Sequence, residues 1–324
     1  MKLTVLGPGF WGTTLTWLLS NNFDEVTLWG LTEAINKPLI VELDKKVVLT
    51  DDLELAVKDA DIILLVVATS GIREVCQKLA KIGLKKNQII VNTSKGLELP
   101  TLLRMSEVIK NELPNNEIVI LSGPTLAKEV LAGKPTAASV ACENMEAAKK
   151  VQKLLTVPSK FRLYTNPDVI GVELGGSLKN VIAIASGFAS EMGLGDNCRG
   201  ALLTRGMAEI ARLAIKLGAN PATLYGLSGM GDLIATCSSP LSRNYTVGAL
   251  LGQGKKIDDI LATLGSVAEG VKTSKAVCEL AKKMNIETPI STAIYEAVYT
   301  DITPQELLSK LMNRELKSED NFGA

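Results

Sequence analysis

The chain has 324 residues and 46% hydrophobic content, enough for one large domain or two ordinary ones with full cores. Its 35 basic and 35 acidic residues cancel, so no basic excess points to nucleic acid and no like-charge block points to a disordered tail. It has no histidine, which removes the usual general base, metal ligand and pH switch.

The five cysteines (Cys76, Cys142, Cys198, Cys237, Cys278) are dispersed and form no CxxC pair. Such a set is neither a disulfide framework nor a structural zinc site, and a reducing compartment is expected. The opening MKLTVLGPGFWGTTLTWLLS has a lysine followed by apolar residues, as a signal peptide does. Gly and Pro interrupt it early, and no small-residue cleavage site follows. No window approaches the roughly 20 uninterrupted apolar residues of a membrane span. A cytoplasmic protein is expected, with no stable membrane insertion, no bound metal and no nucleic-acid partner.

Residues 2–7 (KLTVLG) read as a first strand ending in a glycine-rich turn, and 10–22 as a helix. A second strand follows at 25–30, then a polar, less regular stretch to about residue 50. Asp51 and Asp52 can cap a short helix, DLELAVKDA. The unbroken apolar run 61–69 suits a strand buried on both faces of a parallel sheet. Further strands are expected at 88–94, 117–123, 136–142 and 161–165, with helices between most of them. Repeated β-α-β units imply an α/β fold, a Rossmann-type, doubly wound, mostly parallel sheet. After Asn166-Pro167 only helical periodicities remain, at 169–192, 199–217, 243–252, 256–264, 268–284 and 290–299. The expected domains are therefore 1–166, which binds a dinucleotide, and 167–324, all-helical and carrying the substrate.

Gly7-Pro8-Gly9-Phe10-Trp11-Gly12 is GxGxxG between a strand and a helix, with a second strand closing the unit. Gly7 makes the tight turn, Gly9 lets the backbone approach a pyrophosphate, and Gly12 lets helix and strand pack closely. The helix N-terminus would face the phosphates. A purely structural glycine turn is the alternative. The end of the second strand, Trp29-Gly30-Leu31-Thr32-Glu33, has its acid late and no Arg, so NAD and NADP both stay open.

Several phrases together are more specific than this loop: VNTSKGLE (91–98), LSGPTLAKEV (121–130), IGVELGGSLKNVIAIASG (170–187), TRGMAEIARLA (204–214), GLSGMGDLIATC (226–237), SRNYTVGALLGQG (242–254) and VAEGVKTSKAV (267–277). In this order they resemble the bacterial-type NAD(P)-dependent glycerol-3-phosphate dehydrogenases, over residues 2 to 300. The resemblance implies a Rossmann domain joined to a helical domain and hydride transfer with NAD or NADP. The substrates it implies are sn-glycerol 3-phosphate and dihydroxyacetone phosphate, and the product supplies phospholipid synthesis. It also implies a homodimer.

The implied site residues can each be weighed physically. Lys179, followed by Asn180, matches the catalytic lysine and a substrate contact. A cation beside a developing alkoxide stabilises it and can give it a proton. Such a lysine needs desolvation or a neighbouring cation to act at neutral pH. No residue one turn away along its own helix offers a counter-ion; the alternative is a lysine snorkelling from a partly buried helix. Lys95, in SKGLE, is implied beside substrate and nicotinamide, or is a solvated lysine at a strand end. Asp232, in GMGD, is the implied carboxylate partner, or the N-cap of DLIATC, with Thr236 one turn on. Ser242, Arg243 and Asn244 match a phosphate-binding phrase, in which a guanidinium forks onto two oxygens and an amide adds a donor. Arg243 is implied at the cofactor as well; its alternative is an ordinary salt bridge. Gly123 and Thr125 are implied at the substrate, and Leu31, Ala127, Val267 and Glu269 at the cofactor. Cys198 and Cys237 read as packing residues. Two departures stand out: Leu31 replaces an Arg common in the family, and ATSGIREV (68–75) lacks a common His. A related hydroxy-acid or sugar-acid dehydrogenase, and a non-catalytic cofactor-sensing regulator, remain as rivals.

Overall fold

The computed structural model describes residues 1–264, 268–316, 318 and 319. It contains two compact units. The first is Met1–Glu98 with Leu103–Val169; the second is Leu99–Leu102 with Ile170–Ala324.

The first unit is built on strands β1 (Lys2–Leu6), β2 (Glu25–Trp29), β3 (Val47–Thr50), β4 (Ile62–Leu65), β5 (Ile89–Asn92), β6 (Glu117–Ser122), β7 (Thr136–Ala141) and β8 (Phe161–Asn166). They form one sheet of order β3-β2-β1-β4-β5-β6-β7-β8. All neighbours are parallel except β6 and β7. Its helices are α1 (Phe10–Leu19), α2 (Thr32–Ile35), α3 (Leu53–Val57), α4 (Ile72–Ile82), α5 (Met105–Glu112), α6 (Ala127–Leu131) and α7 (Met145–Leu155). Strand residues alternate between two cores. Leu3, Val5, Ile62 and Leu64 meet α1 and α7 on one face; Leu6, Ile63 and Leu65 meet α4 and α5 on the other. Strands buried on both faces are what the apolar runs imply.

The sequence expectation misses β3, placing it in the irregular stretch. β3 is an edge strand, bonded only to β2, and its residues are exposed or half-buried. It therefore lacks the apolar run that marks the inner strands. The chain leaves β1 towards β2 and β3, then returns on the other side as β4. That reversal is the topological switch point, where ligands of doubly wound sheets bind.

The second unit holds α8 (Val169–Glu191), α9 (Gly195–Lys216), α10 (Pro221–Leu224), α11 (Asp232–Cys237), α12 (Arg243–Gly252), α13 (Ile257–Leu264), α14 (Glu269–Met284), α15 (Pro289–Tyr299) and α16 (Pro304–Met312). A π-helical turn, Leu227–Gly231, leads into α11. The expectation stops at residue 299 and omits α16, although Thr303 and Glu306 form a capping box at its start. By length and composition α8 can cross a membrane, but 89% of its most apolar window is buried inside the protein. A helix apolar all round is a core helix when other helices cover it.

Glycines let backbone rather than side chain cover α8. A Cβ at Gly175 would lie 2.7 Å from the Ser228 carbonyl oxygen, and one at Gly187 would lie 1.9 Å from that of Tyr245. One at Gly248 of α12 would lie 1.8 Å from the Ile184 oxygen. Close crossings by the π turn and by α12 thus bring polar side chains against the middle of an apolar helix.

Candidate active site

In the first unit the predicted residues gather at the carboxyl edge of the sheet. Gly7 has φ +119°, and a Cβ there would meet the Val66 carbonyl oxygen at 2.7 Å. Its N–H donates to Trp29 O at 2.9 Å. A Cβ on Gly12 would lie 1.8 Å from Gly7 O, so helix and turn are in backbone contact. Gly9 differs: a Cβ there would meet nothing within 4 Å. Gly9 is also the N-cap of α1, and no side chain caps it. The first N–H groups of α1 thus face open space, with Phe10 exposed and Trp11 half-buried beside them. This loop fits a dinucleotide pyrophosphate.

Leu31 follows β2 and is 62% exposed. The hydroxyl of Thr32 donates to Asp51 Oδ2 at 2.6 Å, which places a carboxylate beside the β2 end. Only Asp52 caps α3, accepting from Leu55 N. The role of Asp51 is invisible without β3.

Lys95 is held by local geometry. Asn92, at the end of β5, accepts from Ser94 N and donates to Ser94 O. Ser94 Oγ donates to Val67 O. Lys95 Nζ then reaches Gly123 O at 2.8 Å and Thr125 Oγ1 at 3.4 Å, joining the loops after β5 and β6. Gly123 has φ +147°, and a Cβ there would lie 2.9 Å from Ala138 Cα, so only glycine suits this turn. Arg73, at the start of α4, forks onto both oxygens of Glu98 at 2.7 Å and also pairs with Glu112. This clamp, just beyond Lys95, joins residues far apart in sequence and has no motif to announce it. Ala127 opens α6 and is half-buried.

In the second unit Lys179 is 6% exposed and Asp232 1%. Lys179 Nζ lies 3.0 Å from Asp232 Oδ1 and donates to Thr236 Oγ1 at 2.5 Å. Thr236 in turn donates to Asp232 Oδ1 at 3.1 Å. Lysine is therefore no snorkelling side chain: its counter-ion comes from α11 rather than from its own helix. An ammonium has three N–H donors. Two are used here, and the third has no partner among the described residues. Asp232 is not an N-cap; it continues helical geometry from the π turn, and α11 has no side-chain cap. Beneath the cluster, burial pushes the Cys237 thiol up to about 12, as a packing residue requires.

Ser242 is the N-cap of α12; its Oγ accepts from Tyr245 N at 3.3 Å. Arg243 follows as the first residue of α12 and is exposed. Asn244 is buried. Its Nδ2 donates to Asn180 Oδ1 at 2.9 Å, and its Oδ1 accepts from Gly270 N at 3.0 Å. Glu269 opens α14 and is half-buried. Val267 lies outside the described residues.

A Rossmann-type unit with an open glycine loop, followed by a helical unit with a buried Lys-Asp-Thr cluster, defines a nicotinamide-dependent dehydrogenase class. Family models described as NAD-dependent glycerol-3-phosphate dehydrogenase N-terminus and C-terminus match residues 2–148 and 168–309. The chain is 45% identical to the glycerol-3-phosphate dehydrogenase [NAD(P)+] of Geobacillus thermodenitrificans, covering 99% of this chain and 97% of that one. It is also 45% identical to the protein of that name from Enterococcus faecalis, over 99% and 98%. The crystal structure of glycerol-3-phosphate dehydrogenase from Coxiella burnetii superposes with a TM-score of 0.91 at 33% identity, covering 97% and 99%. The chain belongs to the NAD-dependent glycerol-3-phosphate dehydrogenase family.

Proposed function

We propose that the protein interconverts sn-glycerol 3-phosphate and dihydroxyacetone phosphate with NAD or NADP, Lys179 acting as general acid and base. Family membership supports the reaction, and the buried Lys179–Asp232–Thr236 cluster supports the role of the lysine.

The Gly7–Gly12 loop and the N-terminus of α1 take the pyrophosphate, with Phe10, Trp11 and Leu31 bordering the cofactor. A reduced nicotinamide bound there would supply the hydride. The third N–H of Lys179 faces the carbonyl oxygen, stabilises negative charge as it develops there, and gives up its proton. Asp232 and Thr236 hold the ammonium group in one orientation throughout. Lys95, fixed by Gly123 and Thr125, contributes a second positive charge at substrate and nicotinamide. Arg243 forks onto the substrate phosphate at the N-terminus of α12, where helix N–H groups add to its pull. Ser242 serves this site by capping the helix, and Ala127 and Glu269 border the cofactor. Residues 1–166 form the dinucleotide domain and 167–324 the substrate domain. In the cell the enzyme is a cytoplasmic homodimer that supplies glycerol 3-phosphate for phospholipid synthesis.

The test is oxidation of NADH and of NADPH by purified protein with dihydroxyacetone phosphate. Turnover is expected with at least one cofactor, and none with either defeats the reading. In Lys179→Ala, kcat should fall on the order of 10³-fold or more, while NADH still binds in a fluorescence titration. Near-normal turnover would remove Lys179 from the chemistry.

A further inference from the structure

We infer that Asp51, at the end of β3, is the residue by which this chain distinguishes the two nicotinamide dinucleotides: its carboxylate takes the 2′-hydroxyl of the adenosine ribose and repels a 2′-phosphate, so that NAD is preferred to NADP. This rests on the reading of the glycine loop as the pyrophosphate site.

A dinucleotide whose pyrophosphate lies on the first strand-to-helix turn carries its adenosine ribose to the end of the second strand, where an acid commonly bonds the 2′-hydroxyl. Here that end reads Trp29-Gly30-Leu31-Thr32, with no acid and no arginine. It is joined to the loop: the Gly7 N–H donates to Trp29 O at 2.9 Å, and a Cβ at Gly30 would lie 2.4 Å from Pro8 Cγ. The acid comes from the neighbouring strand instead. The register pairs Trp29 with Thr50, which puts Asp51 level with Gly30, one strand spacing of about 4.8 Å to the side. Three hydrogen bonds fix it there. The Gly30 N–H donates to Thr50 O at 3.2 Å, the Trp29 indole N–H donates to Asp51 O at 2.9 Å, and the Thr32 hydroxyl donates to Asp51 Oδ2 at 2.6 Å.

The carboxylate is thereby both oriented and open. Asp51 is exposed, and its Oδ1 has no hydrogen-bond partner among the described residues. An ionised carboxylate only accepts, which suits a ribose hydroxyl and not a phosphate oxygen, itself an acceptor. A 2′-phosphate would bring about two negative charges to this point. Asp51 forms no ion pair among the described residues, and two further acids flank it, Glu33 in the first turn of α2 and Asp52 at the start of α3. Leu31, 62% exposed, puts an apolar side chain just after β2, where a guanidinium would pair with that phosphate. The next cation along the chain, Lys37, lies beyond the end of α2.

The experiment measures the dissociation constants of NADH and NADPH by fluorescence titration of the substrate-free protein, with thermal unfolding and kcat/KM for both cofactors recorded for each variant. The wild type should bind NADH about tenfold or more tightly than NADPH, the worth of a hydrogen bond to a charged group. Asp51→Asn keeps the size of the side chain and an oxygen for Thr32 but removes the charge. NADH should then weaken, NADPH should tighten, and the ratio of the two constants should fall to about one. Leu31→Arg should tighten NADPH more in the Asp51→Asn background than in the wild type, because an intact Asp51 would compete for the new guanidinium. Equal binding of the two cofactors by the wild type, or a preference for NADPH, overturns the inference. So does a ratio that Asp51→Asn leaves unchanged, or an equal effect of Leu31→Arg in both backgrounds. If the wild type binds neither cofactor, the glycine loop is no dinucleotide site, and both the proposed function and this inference are defeated. Asp51→Ser takes the place of Asp51→Asn, with the same expected fall in the ratio, if that variant does not fold.

Discussion

At the scale of single residues, Lys179 and Asp232 show how chemistry and stability can be separated. Both are almost wholly buried, and each is the other's counter-charge at 3.0 Å. Removing one partner strands a desolvated charge, which typically costs about 3–5 kcal/mol, whereas replacing both by apolar groups of similar volume is often neutral. Asp232→Leu is therefore expected to lower unfolding stability by about 3–5 kcal/mol in urea titrations. The double variant Lys179→Met/Asp232→Leu should recover most of that loss and remain inactive. Recovery of activity in the double variant would contradict the role of the lysine. No recovery of stability would mean that the pair is held by more than mutual compensation. The sequence reading finds Lys179 through its motif and through the misfit of a charge in an apolar helix. It misses the clamp of Arg73 on Glu98 and Glu112, because residues so far apart in sequence share no motif.

At the scale of elements, the glycines divide by what surrounds them. Gly187 lies where α12 crosses α8, and a Cβ there would fall 1.9 Å from Tyr245 O. Neither backbone can yield without shifting a helix. Gly187→Ala should destabilise by at least the roughly 1–3 kcal/mol of ordinary overpacking, and should raise KM by moving Asn244 relative to Asn180. Gly200, in α9, would place its Cβ in open space, so Gly200→Ala should stabilise by about 0.5–1 kcal/mol through helix propensity. Thermal unfolding of the two variants checks both signs; similar effects would show that the crossing is softer than its distances imply. Elements with an apolar run or a long helical period are legible in sequence, as β1, β4, β5 and α8 are. β3 is not, because an edge strand buries little. The π turn before α11 is not either, since its glycines serve contacts, such as that of Gly229 with Leu224 O, that only the folded chain makes.

At the scale of the molecule, the open glycine loop lies in one unit and the buried lysine cluster in the other. A mostly parallel sheet followed by a helical region is legible in the sequence, because parallel strands and helices bury apolar surface with different periods. The place of the glycine loop in the first unit lets cofactor binding be tested by itself. A ligand that binds only the folded state stabilises by RT ln(1 + [L]/Kd), about 2.7 kcal/mol at 100 times Kd. NADH or NADPH at such a concentration should therefore raise the melting temperature of the wild type by several degrees. Gly9→Ala tests whether the open space over the loop is the cause. Its Cβ meets nothing in the protein, so the melting temperature without ligand should stay close to that of the wild type. The methyl group occupies the space through which the pyrophosphate approaches, so the cofactor-induced shift should shrink or vanish. Gly12→Ala is the contrast: its Cβ would fall 1.8 Å from Gly7 O and should lower the melting temperature even without ligand. A full cofactor shift in Gly9→Ala would mean that the dinucleotide phosphates lie elsewhere.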